Sequence, residues 1–237
     1  MQLAVSSFIP IKEGGVEGEV IYADTEGSFE ASRVKEIATH LVRRLSTIKG
    51  EAVEGEGEKG ENVLSEKIIK GDKEEKMEGG ITVEKIMEGI KYLRISDYVQ
   101  QLAFVKILPN LLKEFPKVRT VIIDSVAFHF RSDFKDMAQR TRLLNSMFQS
   151  LASISDQFGV AVILINQVTT KFKTNANHSK TSVLVPALGE SWAHNCTNRV
   201  ILFFEEEMRK ALLHKSPSFP TKTVPFVVNE EGIRDIP

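Results

Sequence analysis

The sequence contains a single cysteine, which limits the chemistry that it can support. Cys196 has no second cysteine with which to form an internal disulfide bond, a pattern typical of a reducing compartment. His194 lies close to it in the chain, but no paired histidine follows at ligand spacing, so we expect no metal cluster there. Ser191 and Cys196 also lack the sequence context of an activated nucleophile.

Long apolar segments and an excess of one charge are also absent. No apolar run approaches the length of a transmembrane helix, and no basic segment followed by a long apolar core opens the chain. We therefore expect neither a membrane anchor nor a signal peptide. The net charge is −1; residues 51–80 carry nine Glu, one Asp and five Lys, so they contribute −5 and the rest of the chain +4. Total charge thus gives no argument for nucleic-acid binding, which would require a local basic patch.

The most restrictive absence is that of a phosphate-binding loop. Nucleotide hydrolases of the P-loop type carry the motif G-x-x-x-x-G-K-[ST]. None of the 15 glycines in this sequence is followed by lysine. The sequence therefore predicts no phosphate cradle of this kind within the 237 residues.

What the chain does contain is a set of short apolar strands. Residues 118–124 form a run of mostly β-branched side chains that ends on Asp124, and residues 160–166 form a second run that ends on Asn166. Apolar side chains at successive positions are typical of strands buried on both faces of a parallel sheet. Residues 19–24 form a third strand that ends on Asp24.

Helical periodicity alternates with these strands. The patterns predict the tail of a helix at 1–5, helices at 31–49, 82–88, 98–115 and from about 136 to 158, and strands at 92–95, 198–204, 210–214 and 223–228. Alternation of strands and helices, followed by closely spaced strands, predicts an α/β protein with a mostly parallel sheet, flanking helices and an antiparallel C-terminal extension.

Residues from 50 to about 80 differ in composition from the rest of the chain. They contain no aromatic residue, many glycines and a dense mixture of charges. Because such a segment cannot bury enough apolar surface to fold, we predict a disordered insertion at the surface.

Polar side chains follow three of the predicted strands. Asp24 and Glu26 follow the first, Asp124 ends the second, and Asn166 and Gln167 end the third. If the strands are neighbours, their carboxyl ends bring two carboxylates and a carboxamide together, as phosphoryl transfer requires for Mg²⁺ binding, orientation of water and detection of the γ-phosphate. The alternative is that each polar residue caps its own strand.

A second candidate site is the segment 168–189, which we predict to be a long polar loop. It contains Lys171, Lys173 and Lys180, with Phe172 between the first two, and no acidic residue before its final glycine. Basic residues interleaved with an aromatic ring suit a nucleic-acid backbone. Arg131 could extend this patch; an ordinary solvated loop and a surface salt bridge are the alternatives.

Several motifs, taken in order, resemble one protein family. They are DTEGSF at 24–29 followed by Arg33, VIIDS at 121–125, FRSDF at 130–134 with RTRLLN at 140–145, AVILINQVTT at 161–170, ALGESWAH at 187–194 and HKSPS at 214–218. This series is similar to the RecA/RadA-type recombinase core in its eukaryotic form and covers nearly all of the chain outside residues 50–80.

The resemblance implies roles for individual residues. Those for catalysis are Glu26, which activates water, and Gln167, which senses the γ-phosphate. Asp124 resembles the Walker B aspartate that holds Mg²⁺ through water. The remaining implied residues are Arg33, His194 and Pro217 for the nucleotide, and Arg131, Lys171, Phe172, Lys173 and Lys180 for DNA.

The resemblance also implies a function, cofactors and partners. It indicates a recombinase paralogue in DNA repair by homologous recombination, with ATP and Mg²⁺ as cofactors, a nuclear and possibly also cytoplasmic location, and no membrane. The expected partners are single-stranded or branched DNA, sister paralogues and the main recombinase filament.

In this family the P-loop precedes the QLAVS segment at 2–6. We therefore expect residues 1–237 to form a partial RecA-like ATPase domain that lacks the first strand and the P-loop, and for which ATP turnover is improbable. A non-catalytic interaction module or a truncated isoform remains an alternative function, as does a metal-dependent hydrolase that uses Glu26 and Asp124.

Overall fold

A computed structural model describes residues 1–54, 80–132, 134, 136–174 and 180–236. The helices are α1 Gln2–Ser6, α2 Ala31–Glu54, α3 Val83–Glu88, α4 Tyr98–Glu114, α5 Phe128–Ser132, α6 Met137–Phe158 and α7 Glu190–Asn195. The strands are β1 Glu19–Asp24, β2 Ile90–Arg94, β3 Val118–Asp124, β4 Ala161–Ile165, β5 Val168–Thr174, β6 Lys180–Pro186, β7 Arg199–Glu205, β8 Met208–Lys215, β9 Lys222–Asn229 and β10 Gly232–Arg234. A short 3₁₀ turn occupies Ile11–Glu13.

A four-stranded parallel sheet, in the order β2-β1-β3-β4, forms the centre of the fold. Helices cover both of its faces. On one face, apolar side chains of β1 and β3 pack against α4 and α6 in the largest core cluster. On the other face, α1, α2 and α3 provide the buried residues of two smaller clusters. The predicted α/β class and its parallel, helix-flanked sheet are confirmed.

The two central strands explain why their sequences lack alternation. All side chains of β1 from Val20 to Asp24 are buried, and those of β3 are buried except at Arg119 and partly at Asp124. Strand β4 is equally apolar in sequence, but its side chains are half-buried or exposed. It lies at the end of the sheet, and none of the described strands pairs with its other edge.

The C-terminal strands are antiparallel, as predicted. They pair with one another in a second four-stranded sheet, in the order β10-β9-β8-β7. Arg33 on α2 donates hydrogen bonds to the carbonyls of Asn229 and Glu230, and Gln2 accepts one from the backbone N–H of Ile233. These contacts fasten the turn between β9 and β10 to the helices beside the parallel sheet.

Two sequence predictions differ from the structure. Helix α2 continues to Glu54, past the expected end at 49, and the remainder of the predicted disordered insertion, at 55–79, lies outside the described residues. The predicted loop 168–189 is wrong in part, because residues 168–174 and 180–186 pair as the antiparallel strands β5 and β6. Valine and threonine at both ends of this segment favour a strand, and the lysines between them obscured that signal.

Candidate functional site at the carboxyl edge of the parallel sheet

Asp24 builds the turn that follows β1. One of its carboxylate oxygens accepts hydrogen bonds from the backbone N–H groups of Glu26 at 3.0 Å and Gly27 at 2.7 Å, and the other accepts one from Phe29 at 3.2 Å. Gly27 has a φ of +75°, a conformation that glycine adopts at little cost. The turn therefore holds Glu26 in a fixed position at the end of the strand.

The charge of Asp24 is fixed by the same hydrogen bonds. Its side chain has no exposed surface, and burial by itself raises the pKa of a carboxyl group. The N–H groups of Phe29, Gly27, Glu26 and Ser28 all donate to the ionised form and outweigh burial, so the pKa of Asp24 lies below its ordinary value. Arg94 adds a guanidinium group 3.4 Å from the same carboxylate.

Two tyrosines contact the two strand-end aspartates. The Tyr22 hydroxyl donates to Asp124 Oδ2 at 2.5 Å, and the Tyr92 hydroxyl donates to Asp24 Oδ2 at 3.2 Å. The Phe29 ring lies between these tyrosines, with ring centroids 4.9 Å from each. Burial, followed by the hydrogen bond to Asp124, raises the pKa of Tyr22 far above its usual range, so it remains a donor at neutral pH.

The ends of β1 and β3 are joined directly. The Thr25 hydroxyl accepts from the backbone N–H of Ser125 and donates to the Ser125 carbonyl, both at 2.8 Å. The backbone N–H of Thr25 also donates to the carbonyl of Asp124 at 2.8 Å, and the Asp124–Ser125 peptide bond is cis. These contacts set Glu26 beside Asp124 at one edge of the sheet.

Glu26 is the centre of a hydrogen-bonded chain. One oxygen of its carboxylate accepts from the Ser125 hydroxyl at 2.5 Å and from the side-chain amide of Gln167 at 2.6 Å. The amide oxygen of Gln167 in turn accepts from the guanidinium of Arg131. The structure therefore brings together four residues that the sequence indicated separately: Glu26, Asp124, Gln167 and Arg131.

The basic segment begins directly after this chain. Lys171, Phe172 and Lys173 lie on β5, three residues or more beyond Gln167, and Lys180 begins β6, where its backbone pairs with Thr174. The carbonyl of Gln167 accepts a hydrogen bond from Ala187 at 2.9 Å, which closes the base of the hairpin. The predicted DNA-binding residues therefore lie on a paired hairpin that starts at the Glu26 chain.

Three other predicted residues lie elsewhere. The guanidinium of Arg33 contacts Glu36 and the turn between β9 and β10. His194, in α7, is exposed, and its carbonyl accepts from Lys215 Nζ at 2.9 Å, which places it near the segment that contains Pro217. The contacts recorded for Arg33, His194 and Pro217 within the described residues include none to Glu26 or Asp124.

Sequence reasoning missed the residues that support this site. Tyr22, Tyr92 and Ser125 each donate to one of the acidic side chains, yet no motif indicated them. One signal was available for Tyr22, since a tyrosine in a strand buried on both faces needs a partner for its hydroxyl. It lies two residues before Asp24, so both side chains project from the same face of β1.

The donor set fits one half of a nucleotide site. Asp124 keeps Oδ1 free of side-chain hydrogen bonds from the described residues, and one carboxylate is sufficient to hold hydrated Mg²⁺ beside a phosphate. Glu26 and Gln167 supply groups that can orient water. The phosphates themselves would have no loop of backbone N–H groups, because the sequence lacks the motif. ATP as a whole therefore does not fit these residues, and we derive no hydrolytic step.

Two searches of the described residues gave negative results. No group of three or more His, Cys, Asp or Glu side chains there is arranged to hold a metal ion. No helix in the same part of the chain is both long and apolar enough to cross a membrane.

Comparison with known proteins agrees with these features. The model of the family described as Rad51 matches residues 1–49 and 71–236. The chain belongs to the Rad51 family. It is 40% identical over 235 residues to "DNA repair protein RAD51 homolog 3" of Dictyostelium discoideum, which covers 99% of this chain and 56% of that protein. It is 41% identical to the protein of the same name from Cricetulus griseus, over 99% of this chain and 58% of the relative.

A more distant relative is the "Meiotic recombination protein DLH1" of Candida albicans. It is 27% identical over 237 residues, which covers 98% of this chain and 61% of the relative. The chain therefore spans somewhat more than half the length of the Rad51-family relatives that it matches.

Proposed function

We propose that this chain acts in DNA repair by homologous recombination, as a recombinase-paralogue subunit that binds DNA but does not bind ATP by itself. Membership of the Rad51 family supports the repair role, as do relatives that are named DNA repair proteins. The nucleus is then the expected place of action, possibly together with the cytoplasm. Single-stranded or branched DNA, sister paralogues and the main recombinase filament are the expected partners.

The observation that carries the DNA-binding proposal is the contact between Arg131 and Gln167. Arg131 is exposed and lies at the base of the hairpin that carries Lys171, Lys173 and Lys180. One N–H of its guanidinium donates to Gln167, and a guanidinium has five N–H donors. The remaining donors are sufficient to contact a DNA phosphate without breaking the chain to Glu26.

A salt titration tests this proposal. Binding of fluorescently labelled single-stranded DNA, measured by anisotropy, should weaken as salt rises, and Arg131→Ala should weaken it further and reduce the slope of log K against log salt by about one. Arg119→Ala is the matched control, because Arg119 lies at the opposite end of β3 and donates to the carbonyls of Pro116 and Val118. Equal losses in both variants, or none in Arg131→Ala, would refute the assignment.

Nucleotide binding is tested separately, with a fluorescent ATP analogue and Mg²⁺. We expect no saturable binding at micromolar concentrations of this chain, because no loop surrounds the phosphates. Micromolar binding that disappears in Asp124→Ala would show that the site is complete and would overturn this part of the proposal.

The second candidate function is a non-catalytic interaction module, which the missing phosphate loop favours. It predicts association with sister paralogues in a pull-down with purified proteins, and no measurable binding of DNA. Salt-dependent DNA binding that depends on Arg131 would exclude it.

A further inference from the structure

The antiparallel sheet has one predominantly apolar face. Antiparallel pairing places directly opposed residues on the same side of a sheet. The register therefore collects the following side chains on one face: Val200, Leu202 and Phe204 of β7, Arg209, Ala211 and Leu213 of β8, Lys222, Val224, Phe226 and Val228 of β9, and Ile233 of β10. Nine of these eleven residues are apolar.

This face is uncovered in the described part of the protein. The six side chains Val200, Leu202, Phe204, Val224, Val228 and Ile233 are between 41% and 67% exposed. None of the buried core clusters contains a residue of β7–β10. The other face is approached by α2, since a side chain at Gly232 would lie 3.5 Å from Ile37 Cγ2. Only the face that carries Phe204 lacks a covering element.

The size of the face matches that of a protein interface. Six large apolar side chains exposed by about half, with Leu213 and Phe226 beside them, present roughly 500–700 Å² of apolar surface. A stable interface of standard size buries about 800 Å² on each partner. A surface of this extent is at the upper limit for a monomer and sufficient for the core of a dimer.

The charges at the two ends of the sheet are opposite. Glu205, Glu206 and Glu207 form the turn between β7 and β8, and Glu230 and Glu231 lie in the turn between β9 and β10 at the same end. The other end carries Lys215 and Lys222, which terminate β8 and begin β9. Two copies stacked with their strands reversed would place each acidic end over a basic end.

We propose that this face binds the same face of a second copy of the chain. The two-fold axis lies in the interface and runs across the strands, so that the apolar rows of β7 and β9 pack together while the acidic turns of one protomer meet Lys215 and Lys222 of its partner. Such an interface is isologous and closes at two subunits. It uses none of the residues of the Glu26 chain, and it does not depend on the proposed function.

Sedimentation velocity of the purified chain, over a range of about 1–100 µM, tests the proposal because micromolar affinity is typical of an interface of this size. We expect a concentration-dependent equilibrium between monomer and dimer. Leu202→Glu should raise the dimer dissociation constant by tenfold or more, since it places two charges at the centre of the interface. Phe219→Glu is the matched control, because Phe219 is 68% exposed but lies outside the strands.

Circular dichroism of each variant shows whether the fold is retained, which is expected because both positions are exposed. A chain that stays monomeric throughout would assign this face to a different partner and overturn the proposal. An open-ended series of larger species, or equal effects of Leu202→Glu and Phe219→Glu, would also overturn it.

The orientation has its own test. Lys222→Glu should weaken a dimer with reversed strands by several-fold, and the double variant Lys222→Glu/Glu206→Lys should recover much of the loss. Lys12→Glu is the control, since Lys12 is exposed in the turn at Ile11–Glu13 and makes the same change in net charge. A tighter dimer in Lys222→Glu would contradict the reversed arrangement, because it would place the basic ends of the two copies together.

Discussion

Asp24 determines the geometry of the strand-end site without belonging to the set of residues that the family resemblance indicates. Its buried carboxylate accepts from several backbone N–H groups at once. Asp24→Asn should lower the free energy of unfolding by about 2–4 kcal/mol, because the amide loses the charge and presents a donor to groups that already donate. Urea denaturation measures this change. Asp156→Asn, at an exposed position on α6, should change it by less than about 0.5 kcal/mol.

The same residue predicts a dependence on pH. The pKa of Asp24 is lower in the folded chain than its ordinary value of 3.8, so the unfolded state binds more protons between the two values. The stability that Asp24 contributes is therefore complete above pH ~4 and is lost as the pH falls through the folded pKa. In acid titrations the wild type should lose more stability below pH ~4 than Asp24→Asn does. Parallel curves for the two proteins would contradict this assignment.

Tyr22 is the second supporting residue, and it acts on Asp124. Tyr22→Phe removes the donor to Asp124 Oδ2 while the ring is retained, and we expect a loss of about 1–2 kcal/mol of stability because the carboxylate keeps only part of its solvation. Tyr98→Phe is the control, since the Tyr98 ring contacts Phe130 and Phe134 but its hydroxyl makes no hydrogen bond to the described residues. Equal losses in the two variants would mean that the bond to Asp124 contributes nothing.

Helix α6 ends where the chain requires a left-handed residue. Gly159 has a φ of +63°, and its N–H donates to the carbonyl of Ser155. A Cβ at this position would meet no atom within 4 Å, so Gly159→Ala should cost about 1 kcal/mol through backbone conformation alone. Gly159→Asn should cost less, because asparagine tolerates this region. Thermal denaturation of the three proteins compares them, and an alanine variant as stable as wild type would contradict the expectation.

The strands β3 and β4 show how position changes the meaning of a similar sequence. Both are continuous apolar runs, yet β3 lies between two partners and is buried, whereas β4 is last in the sheet and half-exposed. Apolar composition therefore predicted the existence and direction of both strands, while strand order decided their burial.

The molecule as a whole contains two sheets of unequal protection. The parallel sheet is enclosed by helices, and residues of the antiparallel sheet do not appear in any buried cluster among those described. In hydrogen exchange followed by mass spectrometry, peptides from β1 and β3 should exchange last, and those from β8 and β9 much earlier in dilute protein. Raising the protein concentration should slow exchange in β8 and β9 if the dimer forms. Protection in β8 equal to that in β3 in dilute protein would contradict the expected order.

The sequence by itself determined the class of fold and the composition of the strand-end site. Strands without alternation must be buried on both faces, and parallel strands bring their carboxyl ends to one edge whatever their order. Glu26, Asp124 and Gln167 could therefore be placed together before any coordinates were known. Arg131 followed from its position just after β3.

Only the tertiary structure decided which side chains contact one another. Tyr22 and Asp124 are 102 residues apart, and their hydrogen bond depends on the register of β1 against β3, which no local pattern specifies. The position of Arg33 at the turn between β9 and β10 depends likewise on how the second sheet sits against α2. The pairing of β5 with β6 and the exposed face of β7–β10 also result from contacts between distant segments, because burial is a property of the assembled layers and not of a single strand.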